Sequence, residues 1–179
     1  MFGAQMGIDI DPSNMEDRVF HSLLGEPDRP ARAHQYFTEL AGLSPLVGVK
    51  NPVVIDSLSE YFASISNPVL VVVSRDVYAT AQREEISGAE FFDGLRSVIR
   101  RKYAIFDFVQ TVSAPLIVVS YERLLLDTRS SVLSIGQFLV GDVSDELVAR
   151  ICPLVRPHAN MPFEVNFLEE KRASRRSSL

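Results

Sequence analysis

Asn67-Pro-Val-Leu-Val-Val-Val-Ser-Arg-Asp76 is the stretch that decides the fold. Val69 to Val73 is an unbroken apolar run rich in β-branched residues, the pattern of a strand buried on both faces of a parallel sheet. It ends in Ser74 and Arg75, and Asp76 then precedes a helix-compatible segment from Val77. A guanidinium at the carboxyl end of such a strand stands where open α/β sheets bind ligands. Its planar fork matches the geometry of a phosphate. The expected ligand is therefore anionic and nucleotide-like.

Outward from this strand, helical and strand patterns alternate. Upstream, Val54, Leu58, Tyr61, Phe62 and Ile65 recur at threes and fours, predicting a helix over 53–65. Before it come a short strand over 45–50 and helices over 15–24 and 31–40, separated by the turn clusters Pro12-Ser13-Asn14 and Gly25 to Pro30. Downstream, helical patterns cover 77–83 and 89–112, the second carrying Phe91, Phe92, Leu95, Val98, Ile99 and Tyr103 on a stripe. Pro115-Leu-Ile-Val-Val-Ser120 reads as a second buried strand, and helices over 128–139 and 144–154 close the fold. Strands alternating with helices at this spacing predict an α/β domain, a parallel sheet flanked by helices in three layers. We expect one domain over 1–168. Residues 169–179, with basic and serine residues and little to bury, are expected to form a mobile tail.

Composition narrows the function classes. The 179 residues are 46% hydrophobic and 23% charged, ordinary for a globular protein with a real core. A formal charge of −5 argues against a nucleic-acid partner, whose footprint is basic. No apolar stretch approaches the length that spans a bilayer, and residues 1–6 lack the basic start and long apolar region of a secretory signal. A single cysteine, Cys152, fits a reducing compartment, so a cytoplasmic location is expected and no membrane partner. His158 has no partner at metal-ligand spacing, so no metal site is expected. Cys152 reads as a small hydrophobe on an amphipathic helix. The Arg175-Arg176-Ser177-Ser178 run reads as composition rather than as a modification site.

Three segments in register resemble the sulfotransferase family, whose members use 3'-phosphoadenosine 5'-phosphosulfate. Gly48-Val-Lys-Asn-Pro52 is followed by a helix and a strand. The strand ending Ser74-Arg75-Asp76 resembles the family's 3'-phosphate-binding segment. Val118-Val-Ser-Tyr-Glu-Arg-Leu-Leu125, then a helix closing Ile135-Gly-Gln-Phe-Leu139, resembles its Tyr-Glu-Asp-Leu strand end and Phe-Leu-Gly helix end. Asn14-Met-Glu-Asp17 is similar to a short Glu-Asp segment of bacterial members. The likeness spans most of residues 14–157.

The resemblance implies a P-loop-type α/β fold and transfer of a sulfuryl group from the sulfated nucleotide to a hydroxyl or amine of a small molecule or carbohydrate. It implies that Arg75, with Arg83, holds the 3'-phosphate, that Tyr121 flanks the adenine and that Lys50 faces the reacting centre. Cations at that centre would stabilise the negative charge of the transferring group. Outside the resemblance, Arg75 reads equally as half of a strand-end ion pair, Tyr121 as a packed ring with a bonded hydroxyl, and Lys50 as a solvated charge. His21, His34, Glu16 and Glu39 lie where a proton acceptor would come from, each without a motif behind it.

The sequence also departs from the family. No Gly-x-x-x-x-Gly-Lys or Arg-Ser-Gly-Thr stretch occurs to cradle the 5'-phosphosulfate on backbone N–H groups. Arg83 stands where the family carries a serine, and residues 161–179 hold no counterpart of its Arg-Lys-Gly loop. We therefore expect the first strand and glycine loop to be missing. A non-catalytic relative that binds a nucleotide or partner, or a truncated part of a longer enzyme, stays open beside the transferase. Without the strand that in the family lies inside the parallel sheet, beside the Val69 and Leu116 strands, the sheet is expected to rearrange or to pair with another copy of the chain as a homo-oligomer.

Overall fold

A computed structural model describes residues 5–11, 16–23, 26–51, 58–86 and 90–156, with the side chains of 83–86 left out of the description. The chain divides into two compact units, one of residues 3–68 and 103–114, the other of 69–102 and 115–179. The expected ends of the domain and tail, 157–168 and 169–179, lie outside the described residues.

The first unit opens with β1 (Gln5–Met6), which the sequence pattern does not assign. Next come α1 (Arg18–Leu23), α2 (Arg29–Leu43), β2 (Val47–Gly48) and α3 (Leu58–Phe62). β1 pairs in parallel with β2, Gln5 opposite Val47 and Met6 opposite Gly48. Ala33, Tyr36, Phe37 and Leu40 fall at i, i+3, i+4 and i+7 on α2 and are all buried. Pro30 sits in the first turn, where its missing N–H costs nothing. The α2 stripe packs on Phe20, Leu23 and Tyr61. Phe20 is the hub, with ring centroids 5.5 Å from Tyr36, 5.7 Å from Phe37 and 5.5 Å from Tyr61.

Among the described residues of this unit, Asp17 is the buried charge, 1% exposed. Its Oδ1 accepts the Val19 N–H at 2.7 Å and the Phe20 N–H at 3.3 Å, capping α1. Oδ2 accepts the Ile8 N–H and, at 2.5 Å, the Tyr36 hydroxyl. One carboxylate thus ties three segments together. The segment before it can close so tightly because Gly7 has φ +76° and no Cβ; a side chain there would overlap the Asp17 carboxylate. Burial alone would push the Asp17 carboxyl up, but donors from Tyr36, Ile8, Phe20 and Val19 outweigh it and hold it below the ordinary value. Tyr36 is driven far up, by burial first and then by its bond to Asp17 and the charges of Asp17 and Glu39.

The second unit contains β3 (Leu70–Ser74), α4 (Val77–Ile86), α5 (Phe91–Thr111, of which residues through Lys102 belong here), β4 (Leu116–Ser120), α6 (Tyr121–Leu126), α7 (Thr128–Val140) and α8 (Asp145–Ile151). β3 and β4 pair directly and in parallel, in register from Leu70 opposite Leu116 to Ser74 opposite Ser120. This is the α/β class expected. Among the described residues the strands form two two-stranded sheets.

Two expectations are corrected here. The β3 and β4 runs are not buried on both faces: Val71, Val73 and Val118 are 39%, 55% and 55% exposed, and Val119 alone of the two strands is buried, at 7%. An apolar run shows that a strand can be covered, while the number of neighbouring strands and helices decides whether it is. The second correction is α6. Ser120 accepts the Arg123 N–H on its Oγ at 3.2 Å, so a helix starts directly at the strand end where the sequence reading placed none.

Candidate functional site

The site is assembled in the second unit by the β3–β4 register. Because Ser74 lies opposite Ser120, the next residues, Arg75 and Tyr121, leave the two strand ends at the same level. The Arg75 guanidinium carbon sits 4.7 Å from the centroid of the Tyr121 ring. A cation held over an aromatic face is attracted by the ring quadrupole. Tyr121 is also the first residue of α6, so its backbone is held by the helix start.

Around this pair the strand ends are cross-linked. Glu122 accepts the Asp76 N–H on Oε1 at 2.7 Å and the Ser120 hydroxyl on Oε2 at 3.0 Å. Asp76 accepts the Ala79 N–H on Oδ1 at 2.9 Å, capping α4. Both carboxylates beside Arg75 therefore have structural partners. Lys102, from α5, donates to Ser74 Oγ at 2.9 Å and to the Arg75 carbonyl at 2.6 Å. A fixed guanidinium, an ammonium on the same strand end and an aromatic ring meet at the carboxyl ends of parallel strands. Such a set is suited to an anion carrying a flat ring.

The structure thus brings together two of the residues singled out from sequence, Arg75 and Tyr121. Arg83 lies on α4, with its side chain outside the described residues. Lys50 belongs to the first unit, where its Nζ lies 3.7 Å from Glu16 Oε1. Two candidate proton acceptors have partners in that unit too. Glu16 pairs with Lys50, and His21 Nδ1 lies 3.3 Å from Asn51 Nδ2. His34 and Glu39 lie on α2. His158 lies outside the described residues, and Cys152 is half-buried. Among the described residues no three metal-ligating side chains cluster, and no helix is long and apolar enough to cross a membrane.

Sequence reasoning missed Lys102 and Glu122 as partners of the site. Lys102 closes the basic run Arg100-Arg101-Lys102, but only the fold shows that its ammonium reaches Ser74 and the Arg75 carbonyl. Glu122 carried a motif signal without a contact to explain it.

Comparison with known proteins places this geometry on a fold. No family model and no curated protein matches the chain by sequence. Among solved structures, the sulfotransferase domain from the curacin biosynthetic pathway matches it with a TM-score of 0.56 at 11% identity, over 87% of this chain and 77% of that domain. The fold is sulfotransferase-like.

Proposed function

We propose that the protein binds a 3'-phosphorylated adenine nucleotide at the β3–β4 strand ends and serves sulfuryl transfer from 3'-phosphoadenosine 5'-phosphosulfate to a hydroxyl or amine of a small molecule or sugar. The observation that carries this reading is Arg75 held over Tyr121 at the carboxyl ends of two paired parallel strands. On a sulfotransferase-like fold, a cation beside a ring supports binding of a phosphate and a base.

The residues present fit one half of such a cofactor. Arg75 would hold the 3'-phosphate, with Arg83 as a second cation from α4, and Tyr121 would flank the adenine. Lys102 would raise the local positive potential and keep the Arg75 backbone in place. When bound, the cofactor supplies an activated sulfuryl group. Lys50 is the residue proposed to stabilise charge on it, a role that rests on its motif alone.

A second reading, nucleotide binding without transfer, is favoured by one observation: no glycine-rich anion cradle occurs in the 179 residues. Calorimetric titration with 3'-phosphoadenosine 5'-phosphate tests the shared part of both readings. Micromolar binding by the wild type, lost in Arg75→Ala, supports the site. Subsequent incubation with the sulfated nucleotide and a panel of hydroxyl and amine acceptors separates the two, since label transfer selects the transferase. No binding by a folded protein contradicts both.

A further inference from the structure

We propose that a groove beside β4, in the second unit, binds a small organic anion: a phosphate or sulfate monoester on a body of about one ring. The groove encloses about 230 Å³ and its walls include Val118, Arg123, Ser130, Ser131, Ser134 and Ile135. An apolar cavity of roughly 150 Å³ takes one benzene, so this volume takes a ring with a charged substituent. Val118 and Ile135 give the groove an apolar side, and α7 contributes a hydroxyl side. The lining is thus mixed, an apolar side facing convergent polar groups.

The charge pattern selects an anion. Arg129, the next cation along the chain, is bound to Asp145 at 2.6 Å. Arg123 has no ion-pair partner among the described residues. The carboxylate of its sequence neighbour Glu122 bonds instead to the Asp76 N–H and the Ser120 hydroxyl. The Ser134 hydroxyl donates to the Ser130 carbonyl at 2.9 Å, whereas the Ser130 and Ser131 hydroxyls have no partner among the described residues. The groove therefore offers a guanidinium fork and two hydroxyl donors. Donors from these three side chains suit the several oxygens of a tetrahedral monoester better than the two of a carboxylate. The inference does not depend on the proposed nucleotide site, because it uses neither Arg75 nor Tyr121.

The test is amide NMR titration with phenyl phosphate and phenyl sulfate, with benzoate and inorganic phosphate as comparisons. Either monoester is expected to shift the amides of Ser120, Arg123 and Ser130 to Ser134, with weaker binding of benzoate and of inorganic phosphate. Arg123→Gln should lower monoester affinity roughly tenfold or more, the usual effect of losing a hydrogen bond to a charged group. The exposed side chain can be changed without loss of the α6 cap, which uses the backbone N–H. In Arg75→Ala the shifts at Arg123 and Ser130 to Ser134 should persist. Shifts confined to residues 74–76, 102 and 121, or affinity unaltered by Arg123→Gln, overturn the proposal. The first of those outcomes would still support the nucleotide site.

Discussion

Replacing Asp17 by asparagine swaps one carboxylate oxygen for an NH2 group in a site built for four donors. If the remaining oxygen keeps the cap on Val19 and Phe20, the NH2 faces the Ile8 N–H and the Tyr36 hydroxyl. The hydroxyl can turn to accept, but the Ile8 N–H cannot. One charge-assisted bond is lost and a buried donor is left unmet, a cost of about 2–4 kcal/mol. That is a large part of the roughly 5–15 kcal/mol that holds a domain folded. Urea unfolding followed by circular dichroism measures it at pH 7. The cost should also depend on pH with a definite sign. The Asp17 carboxyl is held below its ordinary value of 3.8 in the folded chain, so its contribution is full above that value. It is lost as pH falls through the lower folded value, and asparagine does not titrate, so the gap between the proteins should close in acid. A variant within about 0.5 kcal/mol of wild type at pH 7, the range of an ordinary surface change, refutes the reasoning. So does a gap that is as large in strong acid as at neutrality.

Other consequences can be measured in the same way. Gly7→Ala meets both a positive φ and the Asp17 carboxylate, and should cost at least about 2 kcal/mol in urea unfolding; adding Asp17→Ala should relieve part of that cost, a non-additivity that independent sites would not show. Val119→Ala should cost about 1.5–2.5 kcal/mol, and Val73→Ala about 0.5 kcal/mol or less, because the first is buried and the second exposed. Equal costs would contradict the difference in burial between these two paired residues. Lys102→Met should weaken nucleotide binding severalfold with an unchanged circular dichroism spectrum, through loss of its bonds to Ser74 and the Arg75 carbonyl; unchanged affinity would remove Lys102 from the site.

What could be read from sequence was set by periodicity and strand chemistry. The α2 stripe Ala33, Tyr36, Phe37 and Leu40 and the two strands announce themselves because each pattern lies within one element. The pairing of β3 with β4 and the exposure of Val73 and Val118 depend on which other elements arrive, and no local pattern encodes that. Arg75 was legible as a strand-end cation, but its place over Tyr121 follows only from the Ser74–Ser120 register. Asp17 lay in a segment marked by motif, yet its partners Ile8 and Tyr36 stand 9 and 19 residues away and are joined only by folding. The α6 start was signalled by Ser120, a capping residue that the flat strand pattern concealed.

The most direct test of the nucleotide site compares 3'-phosphoadenosine 5'-phosphate with adenosine 5'-phosphate by calorimetry, in wild type and in Arg75→Ala. If Arg75 holds the 3'-phosphate, the wild type should prefer the bisphosphate by tenfold or more, the scale of a hydrogen bond between charged groups. Arg75→Ala should bring the two affinities together. A preference that survives the substitution, or no preference in the wild type, would contradict the assignment of Arg75.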